Sequence, residues 1–321
     1  MPLGAFQMIL PLEDLTHVRT NMHSWEKLRG KRVFLTGASG FVGTWLTETF
    51  DYANTSLGLN SELVKIDREF FPDGDFALGI HAAKAGSFWA DTILTKEILD
   101  FSVERGVSRL LFTSSGAVYG KLPPGMNKVS EDFIGAPYTH DASSGYAQAK
   151  RMNEFLSVQY ADQYGLCAII ARLFAFTGPV LPLSVNFAVG NFIRDVMSGG
   201  PVIIQGDGTA YRSYLYAADL AIWLWTLLLE GGNARPYNVG SPDAVSIFDV
   251  AHLVVANTRP DTQIVLRGNE GRDFYVPSVE RAALELNLRP LISLDEGIRR
   301  MYAWNVASKV GEMTPVLPTL Y

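Results

Sequence analysis

The feature that constrains this 321-residue chain most is a glycine-rich turn between a short apolar segment and an amphipathic one. In "KRVFLTGASGFVGTWLTETF" a strand is followed by a turn with Gly37, Gly40 and Gly43, and then by a helix. Glycine permits a tight turn and lets the backbone approach a pyrophosphate, which the helix N-terminus then faces. The turn therefore predicts a dinucleotide site. Its predicted cofactor contacts are Gly37, Ser39, Gly40, Phe41, Val42 and Gly43.

Apolar strands and helices alternate along the first half of the chain. "SRLLFTSS" at 108–115 and "LCAIIARLF" at 166–174 are two further strand candidates, each preceded by a helical stretch. Such alternation predicts an α/β fold with a Rossmann-type, doubly wound parallel sheet. Beyond residue 180 the alternation loosens, which indicates a smaller second lobe. The predicted parts are an N-terminal helical extension at 1–30, a dinucleotide-binding domain at 31–180, and a substrate-binding lobe at 181–321 interleaved with it.

Two segments are harder to assign. Apolar residues recur at helical spacing between residues 13 and 29, which predicts one helix that ends at Gly30. The strand candidates "SELVKID" and "DFALGIHAA" are separated by only seven residues, too few for the usual crossover between parallel neighbours. Either these strands are not neighbours, or a helix and a strand are missing. Asp67 is the candidate acid for the adenosine ribose, so the choice between NAD and NADP stays open.

Composition excludes several classes of protein. The net charge of −6 and the lack of a basic stripe argue against a nucleic-acid-binding protein. The longest apolar run, "LAIWLWTLLL", is about half the length that spans a bilayer. The first residues do not resemble a secretory signal, so the cytoplasm is the expected location. The single cysteine, Cys167, is expected to be a small core residue, and no metal site is predicted.

The segment "SSGYAQAKR" carries the candidate chemistry. Tyr146 and Lys150 are four residues apart on one helix face, where the ammonium is expected to lower the pKa of the phenol. A tyrosine tuned in this way suits general acid/base work on a hydroxyl group. Ser114 and Ser115 end a strand, at the edge where open α/β sheets bind ligands.

With these residues in view, the chain resembles an extended short-chain dehydrogenase/reductase of the nucleotide-sugar epimerase/dehydratase family. The resemblance covers most of residues 31–300, and its motifs follow the family's order. They are "TGASGFVG", "HAA" at 81–83 after the fourth strand, "TSSGAVYG", "YAQAK", "RLFAFTGP", "GDGTAYRSYLYAADLA" and "YNVGS".

The resemblance implies a role for each matching residue. Ser115 matches the catalytic Ser/Thr, Tyr146 the acid/base, and Lys150 the residue that binds the nicotinamide ribose. Arg212 matches an arginine that grips the substrate diphosphate, and Asn191 a substrate-phosphate contact. Contacts to the cofactor are also implied for His81, Ala82 and Ala83.

Departures from the family pattern narrow the activity. Gly116 and Ala117 stand where the 4,6-dehydratases carry an Asp-Glu pair, which disfavours dehydration, and Ala175 replaces an Asn that often contacts substrate. The expected activity is NAD-dependent 4-epimerisation of a nucleotide-diphosphate sugar. The alternatives are an NADPH-dependent reductase of a 4-keto nucleotide sugar and, in another class, a non-catalytic dinucleotide-sensing scaffold. The resemblance also implies a homodimer, built from "ILTKEILDFSVERG" and the helix that spans residues 143–164.

Overall fold

The computed structural model describes residues 8–67, 71–184, 187–269 and 273–310. Its helices are α1 (Leu12–Asn21), α2 (Phe41–Leu57), α3 (Phe88–Glu104), α4 (Gly145–Tyr164), α5 (Ala188–Met197), α6 (Ala217–Glu230), α7 (Ile247–Thr258), α8 (Glu280–Leu286) and α9 (Leu294–Val310). Its strands are β1 (Arg32–Thr36), β2 (Glu62–Ile66), β3 (Leu78–His81), β4 (Arg109–Ser115), β5 (Cys167–Leu173), β6 (Ala175–Thr177), β7 (Val202–Gln205), β8 (Tyr211–Arg212), β9 (Tyr214–Tyr216), β10 (Arg235–Val239), β11 (Val245–Ser246), β12 (Ile264–Arg267) and β13 (Phe274–Tyr275).

Six of the strands form the central sheet in the order β10-β5-β4-β3-β1-β2, and all neighbours run parallel. The predicted Rossmann-type sheet is therefore confirmed. Helices cover both faces, which is why the central strands are apolar on both sides. In β1, Val33 and Leu35 pack into the cluster that contains α1, α2 and α6, whereas Phe34 packs into the cluster that contains Ile98 and Leu99 of α3.

The short link between β2 and β3 has a topological explanation. The two strands lie on opposite sides of β1, and each pairs with it in parallel register. The alternative in which they are not neighbours is therefore correct. Among the described residues His81 ends the third strand, one fewer than the resemblance implies, which also fits the alternative of a missing helix and strand.

The prediction of one continuous helix over residues 13–29 is wrong. Helix α1 ends at Asn21, Met22 is extended with φ −89° and ψ 107°, and a 3₁₀ turn follows over Trp25–Leu28. The periodicity misleads because a 3₁₀ turn repeats every three residues, close to the helical spacing. All five apolar residues of the pattern are buried as expected: Leu15, Val18, Met22, Trp25 and Leu28.

A second apolar core lies in the C-terminal half, where α5, α7 and α9 pack around β7. Strand β10 returns from this half to the edge of the central sheet beside β5. The division at residues 30 and 180 stays a prediction. The apolar run at 220–229 lies within α6, which is buried almost throughout, and no helix of the described ranges could cross a bilayer.

Cys167, at the start of β5, is half-buried and packs against the main apolar core. Its Sγ lies 3.3 Å from Nη1 of Arg109, which donates to it.

Candidate active site

The glycine turn is pressed against two neighbouring pieces of backbone. A Cβ on Gly37, whose φ is 71°, would lie 2.7 Å from the carbonyl carbon of Ala82. A Cβ on Gly43 would lie 2.1 Å from the carbonyl oxygen of Gly37. Helix α2 begins at Phe41 without a side-chain cap from Gly40, so its first amide groups face outward from the turn. The turn, the end of β3 and this helix N-terminus thus meet at one edge of the sheet.

His81 lies beneath this edge and serves a structural purpose. Its Nδ1 is 2.8 Å from Oγ1 of Thr36, and its Nε2 is 3.0 Å from Oγ1 of Thr95. The Thr36 hydroxyl accepts the amides of Ala82 and Ala83 at 3.2 Å each, so its own proton goes to Nδ1. Burial lowers the pKa of His81 to about 3, and the ring is neutral. Both ring nitrogens of His81 are thus bonded inside the protein, and the cofactor contact predicted at His81 stays a prediction.

Strand β4 and helix α4 bring the three predicted catalytic residues together. Ser115 is the last residue of β4, and its Oγ accepts the amide of Ala117 at 3.2 Å. Tyr146 and Lys150 lie on the first turns of α4, with Nζ of Lys150 5.9 Å from the centre of the Tyr146 ring. The Lys150 ammonium is buried and donates to the carbonyl of Thr113 at 2.9 Å.

The pKa values at this cluster differ from the expectation. Burial raises the pKa of Tyr146, a hydrogen bond with Ser115 lowers it, and the carboxylate of Asp91 raises it further. Burial also lowers the pKa of Lys150, to about 8. The pKa of Tyr146 is thus raised and not lowered as expected from Lys150, whose ammonium is directed to the Thr113 carbonyl; the Tyr146 residue itself is 45% exposed.

A buried polar network supports the end of β4. Ser114 donates to Oε1 of Glu154 at 2.5 Å, and Arg172 binds the same carboxylate through two bonds of 3.0 and 2.7 Å. Arg172 also donates to the hydroxyl of Tyr119, which in turn donates to Asn238. Paired and bonded in this way, the buried charges fix the strand that carries Ser115. Arg172 lies in the motif "RLFAFTGP" and Glu154 follows "YAQAK" by four residues, but neither motif predicts their pairing.

A cavity of about 870 Å³ opens next to this cluster, and Arg212 of β8 lies on its wall. Arg212 forms a two-bond ion pair with Asp273, with distances of 2.8 and 3.2 Å. Asn191 is on α5, where its Oδ1 accepts from Arg194 at 3.0 Å. Of the predicted site residues, Arg212 lines this cavity; Asn191 and the three predicted catalytic residues are not among the described residues that line it. The role predicted for Asn191 stays a prediction. Asp67 is exposed just after β2, next to the glycine-turn strand.

Tyr275 is a site residue that the sequence analysis missed. It lies on the cavity wall, and its hydroxyl hydrogen-bonds with Ser115 and is close enough to Tyr146 to be influenced by its charge. Burial raises the pKa of Tyr275 to about 12, so its hydroxyl stays protonated; it donates to the carbonyl of Leu173 at 3.4 Å and accepts from Ser115. Tyr275 thus joins the cavity to the catalytic cluster.

Residues 80–240 match a family model, described as the NAD dependent epimerase/dehydratase family. The chain belongs to this family. Membership confirms the predicted enzyme type, an extended short-chain dehydrogenase/reductase, and its cofactor NAD, with the choice of NADP still open. The matched region contains His81, Ser115, Tyr146 and Lys150.

Curated relatives and solved structures agree with this assignment. UDP-glucuronic acid decarboxylase 1 of Arabidopsis thaliana is 32% identical over 196 residues, which cover 60% of this chain and 44% of that protein. The chain thus spans about half the length of such relatives. An epimerase of Methanothermobacter thermautotrophicus has a TM-score of 0.76 at 20% identity, covering 91% of this chain and 96% of the other. UDP-glucose 4-epimerase of Thermotoga maritima, solved with UDP-glucose, has a TM-score of 0.73 at 19% identity, with 87% and 99% covered. At these identities the two structures establish the fold.

The residues of this family member fit NAD. The uncapped N-terminus of α2 and the closely packed glycine turn provide amide donors for a pyrophosphate, and a Cβ at Gly40 would have its nearest neighbour 3.5 Å away. NAD supplies the acceptor and donor of hydride when bound. The contacts predicted for Lys150 and Tyr146 with the reacting half of the cofactor, and for Asp67 with its adenosine half, stay predictions.

The glycine that replaces a dehydratase acid is required by packing. A Cβ on Gly116 would lie 2.7 Å from the Phe174 ring and 2.8 Å from the hydroxyl of Tyr275. A side chain at this position therefore requires Phe174 and Tyr275 to shift.

Proposed function

We propose that this chain is a nucleotide-sugar-modifying enzyme that oxidises C4 of the sugar transiently, with 4-epimerisation as the net reaction. The observation that carries the proposal is the convergence of Ser115, Tyr146 and Lys150, which Tyr275 connects to a cavity whose wall bears Arg212. The guanidinium suits the diphosphate, and the hydroxyl cluster suits the sugar. Without the acids that dehydration needs, oxidation and re-reduction remain as the chemistry this cluster supports.

In the proposed mechanism Tyr146 moves the proton of the C4 hydroxyl. Ser115 hydrogen-bonds the reacting oxygen and holds it next to Tyr146, and Tyr275, whose hydroxyl accepts from Ser115 and donates to the Leu173 carbonyl, limits the position of the sugar. Lys150 would hold the ribose next to the nicotinamide, with its ammonium 5.9 Å from the centre of the Tyr146 ring. NAD, when bound, would supply the acceptor and donor of hydride, while Tyr146 takes and returns the proton of the hydroxyl.

The test is Tyr146→Phe. This variant should bind NAD with unchanged affinity, because the ring and its packing remain, and should lose turnover by a factor of about 100 or more, as expected for a lost acid/base. Conversion of UDP-glucose and UDP-N-acetylglucosamine is followed by chromatography, and cofactor binding by calorimetry. A variant that turns over at the wild-type rate would refute the proposed role.

Decarboxylation is a second candidate, favoured by the Arabidopsis relative that bears that name. Oxidation at C4 of a uronic acid places a ketone β to its carboxylate, an arrangement that loses CO₂ readily. Incubation with UDP-glucuronic acid and measurement of released CO₂ separates this reaction from epimerisation, which releases none. The reductase alternative requires stoichiometric consumption of NADPH, and the scaffold alternative requires that no substrate be turned over.

We also propose a homodimer through α3 and α4. Trp89 and Ile93 of α3 and Phe155 of α4 are exposed, with 72%, 54% and 58% of their surfaces accessible. Met152 and Phe155 line a surface groove together with Phe88. A second copy would cover this apolar face. Phe155→Asp should shift the sedimentation coefficient to that of a monomer, whereas Leu284→Asp, an exposed leucine on α8, should not.

A further inference from the structure

The positive charge of Arg212 in the cavity is already matched by a carboxylate. Asp273 binds the end of the guanidinium fork, with Nη1 to Oδ1 at 2.8 Å and Nη2 to Oδ2 at 3.2 Å. Both residues line the cavity. The side chain of Asp273 is 62% exposed and that of Arg212 28% exposed, so the carboxylate lies on the solvent side of the pair.

The orientation of Arg212 does not require this carboxylate. Nη1 of Arg212 also donates to the carbonyl of Tyr211 at 2.8 Å. Strand β8, which carries Arg212, pairs with β11 on one side and β13 on the other. The backbone therefore holds the guanidinium in place, and Asp273 adds a negative charge at the point where an anionic ligand would approach.

We propose that Asp273 is an internal competitor for the anion subsite at Arg212 and sets how tightly the cavity binds a diphosphate. This inference rests on the proposed function, in which the diphosphate of the ligand binds at Arg212. A phosphate that binds Nη1 and Nη2 of Arg212 must displace the Asp273 carboxylate. A phosphate that binds another edge of the guanidinium is repelled by the negative charge of that carboxylate. In either case Asp273 weakens the complex and speeds the release of a nucleotide-bearing product.

The experiment measures binding of UDP and of uridine by calorimetry at low and high salt. Asp273→Asn keeps an oxygen that accepts from Arg212 and removes the charge, so it should bind UDP about tenfold more tightly, equal to 1.4 kcal/mol. The gain should shrink at 0.5 M NaCl because salt screens exposed charges. Uridine, which has no phosphate, should show no gain. Asp273→Ala should behave like Asp273→Asn, and Asp261→Asn, a charge-matched change outside the residues that line this cavity, should leave UDP affinity unchanged.

Two further variants separate this inference from the proposed function. Arg212→Ala should weaken UDP binding, and Asp273→Asn should have no effect on that background, because the competition requires both side chains. Loss of affinity in Arg212→Ala with unchanged or weaker binding in Asp273→Asn would overturn the competitor role alone. Unchanged affinity in Arg212→Ala would overturn the diphosphate subsite, and the competitor role with it.

Discussion

The buried positive charge of Lys150 in the active site should lower the free energy of unfolding. Its side chain is 5% exposed, and burial lowers its pKa from 10.5 to about 8. Each pH unit of pKa change corresponds to about 1.4 kcal/mol, so a protonated Lys150 costs the folded state roughly 3 kcal/mol at neutral pH. A variant without the ammonium also loses the hydrogen bond to the Thr113 carbonyl, and this loss cancels about 1.5 kcal/mol of the gain in stability.

Lys150→Met should therefore abolish turnover and raise the free energy of unfolding by roughly 1–2 kcal/mol at pH 7. Its pH dependence follows from the sign of the pKa change. Below pH 8 both folded and unfolded wild-type chains carry the proton, and the cost is complete. Between pH 8 and 10.5 the folded chain has released the proton that the unfolded chain still binds, so wild-type stability rises with pH. The advantage of Lys150→Met should shrink by roughly 2 kcal/mol between pH 7 and pH 10.

Urea denaturation at both pH values measures these differences. Lys96→Met is the matched control, since Lys96 is an exposed lysine of α3 whose pKa is raised by its hydrogen bond with Asp100. That control should gain no stability at pH 7. A Lys150→Met variant that is less stable than the wild type at pH 7, or whose advantage is the same at pH 10, would refute the reasoning.

His81 and the glycine turn give predictions whose direction of effect on stability is known. The pKa of His81 is about 3 in the folded chain, below its ordinary 6.5, so stability should fall as pH drops from 6.5 towards 3, at about 1.4 kcal/mol per pH unit. His81→Gln cannot titrate and should show a flatter acid limb in urea titrations, and an identical slope would contradict the neutral ring. Gly43→Ala places a Cβ 2.1 Å from the Gly37 oxygen and should lower the melting temperature and NAD affinity, whereas Gly40→Ala, with 3.5 Å of clearance, should lower the melting temperature less. Equal losses in both glycine variants would show that close packing at Gly43 is not the cause.

Local spacing explains which parts of the site were predictable. Tyr146 and Lys150 share one helix face, and Gly37 and Gly43 share one turn, so a short segment fixes each pair. Their chemistry was less predictable than their position. Whether an ammonium lowers the pKa of a neighbouring phenol depends on burial and on other partners, here the Thr113 carbonyl and Asp91.

Distant pairings explain what the sequence could not reveal. Tyr275 and Asp273 reach the cavity because β13 pairs with β8, more than sixty positions earlier in the chain. A two-residue strand has no periodicity from which such a pairing could be read. The same pairing changes what can be concluded about Arg212. The sequence motif identifies Arg212 as a cation for a diphosphate, but the fold places the Asp273 carboxylate against it. How strongly this site binds an anion is thus decided by the charge that β13 brings to Arg212, and a motif that contains only the arginine cannot predict it.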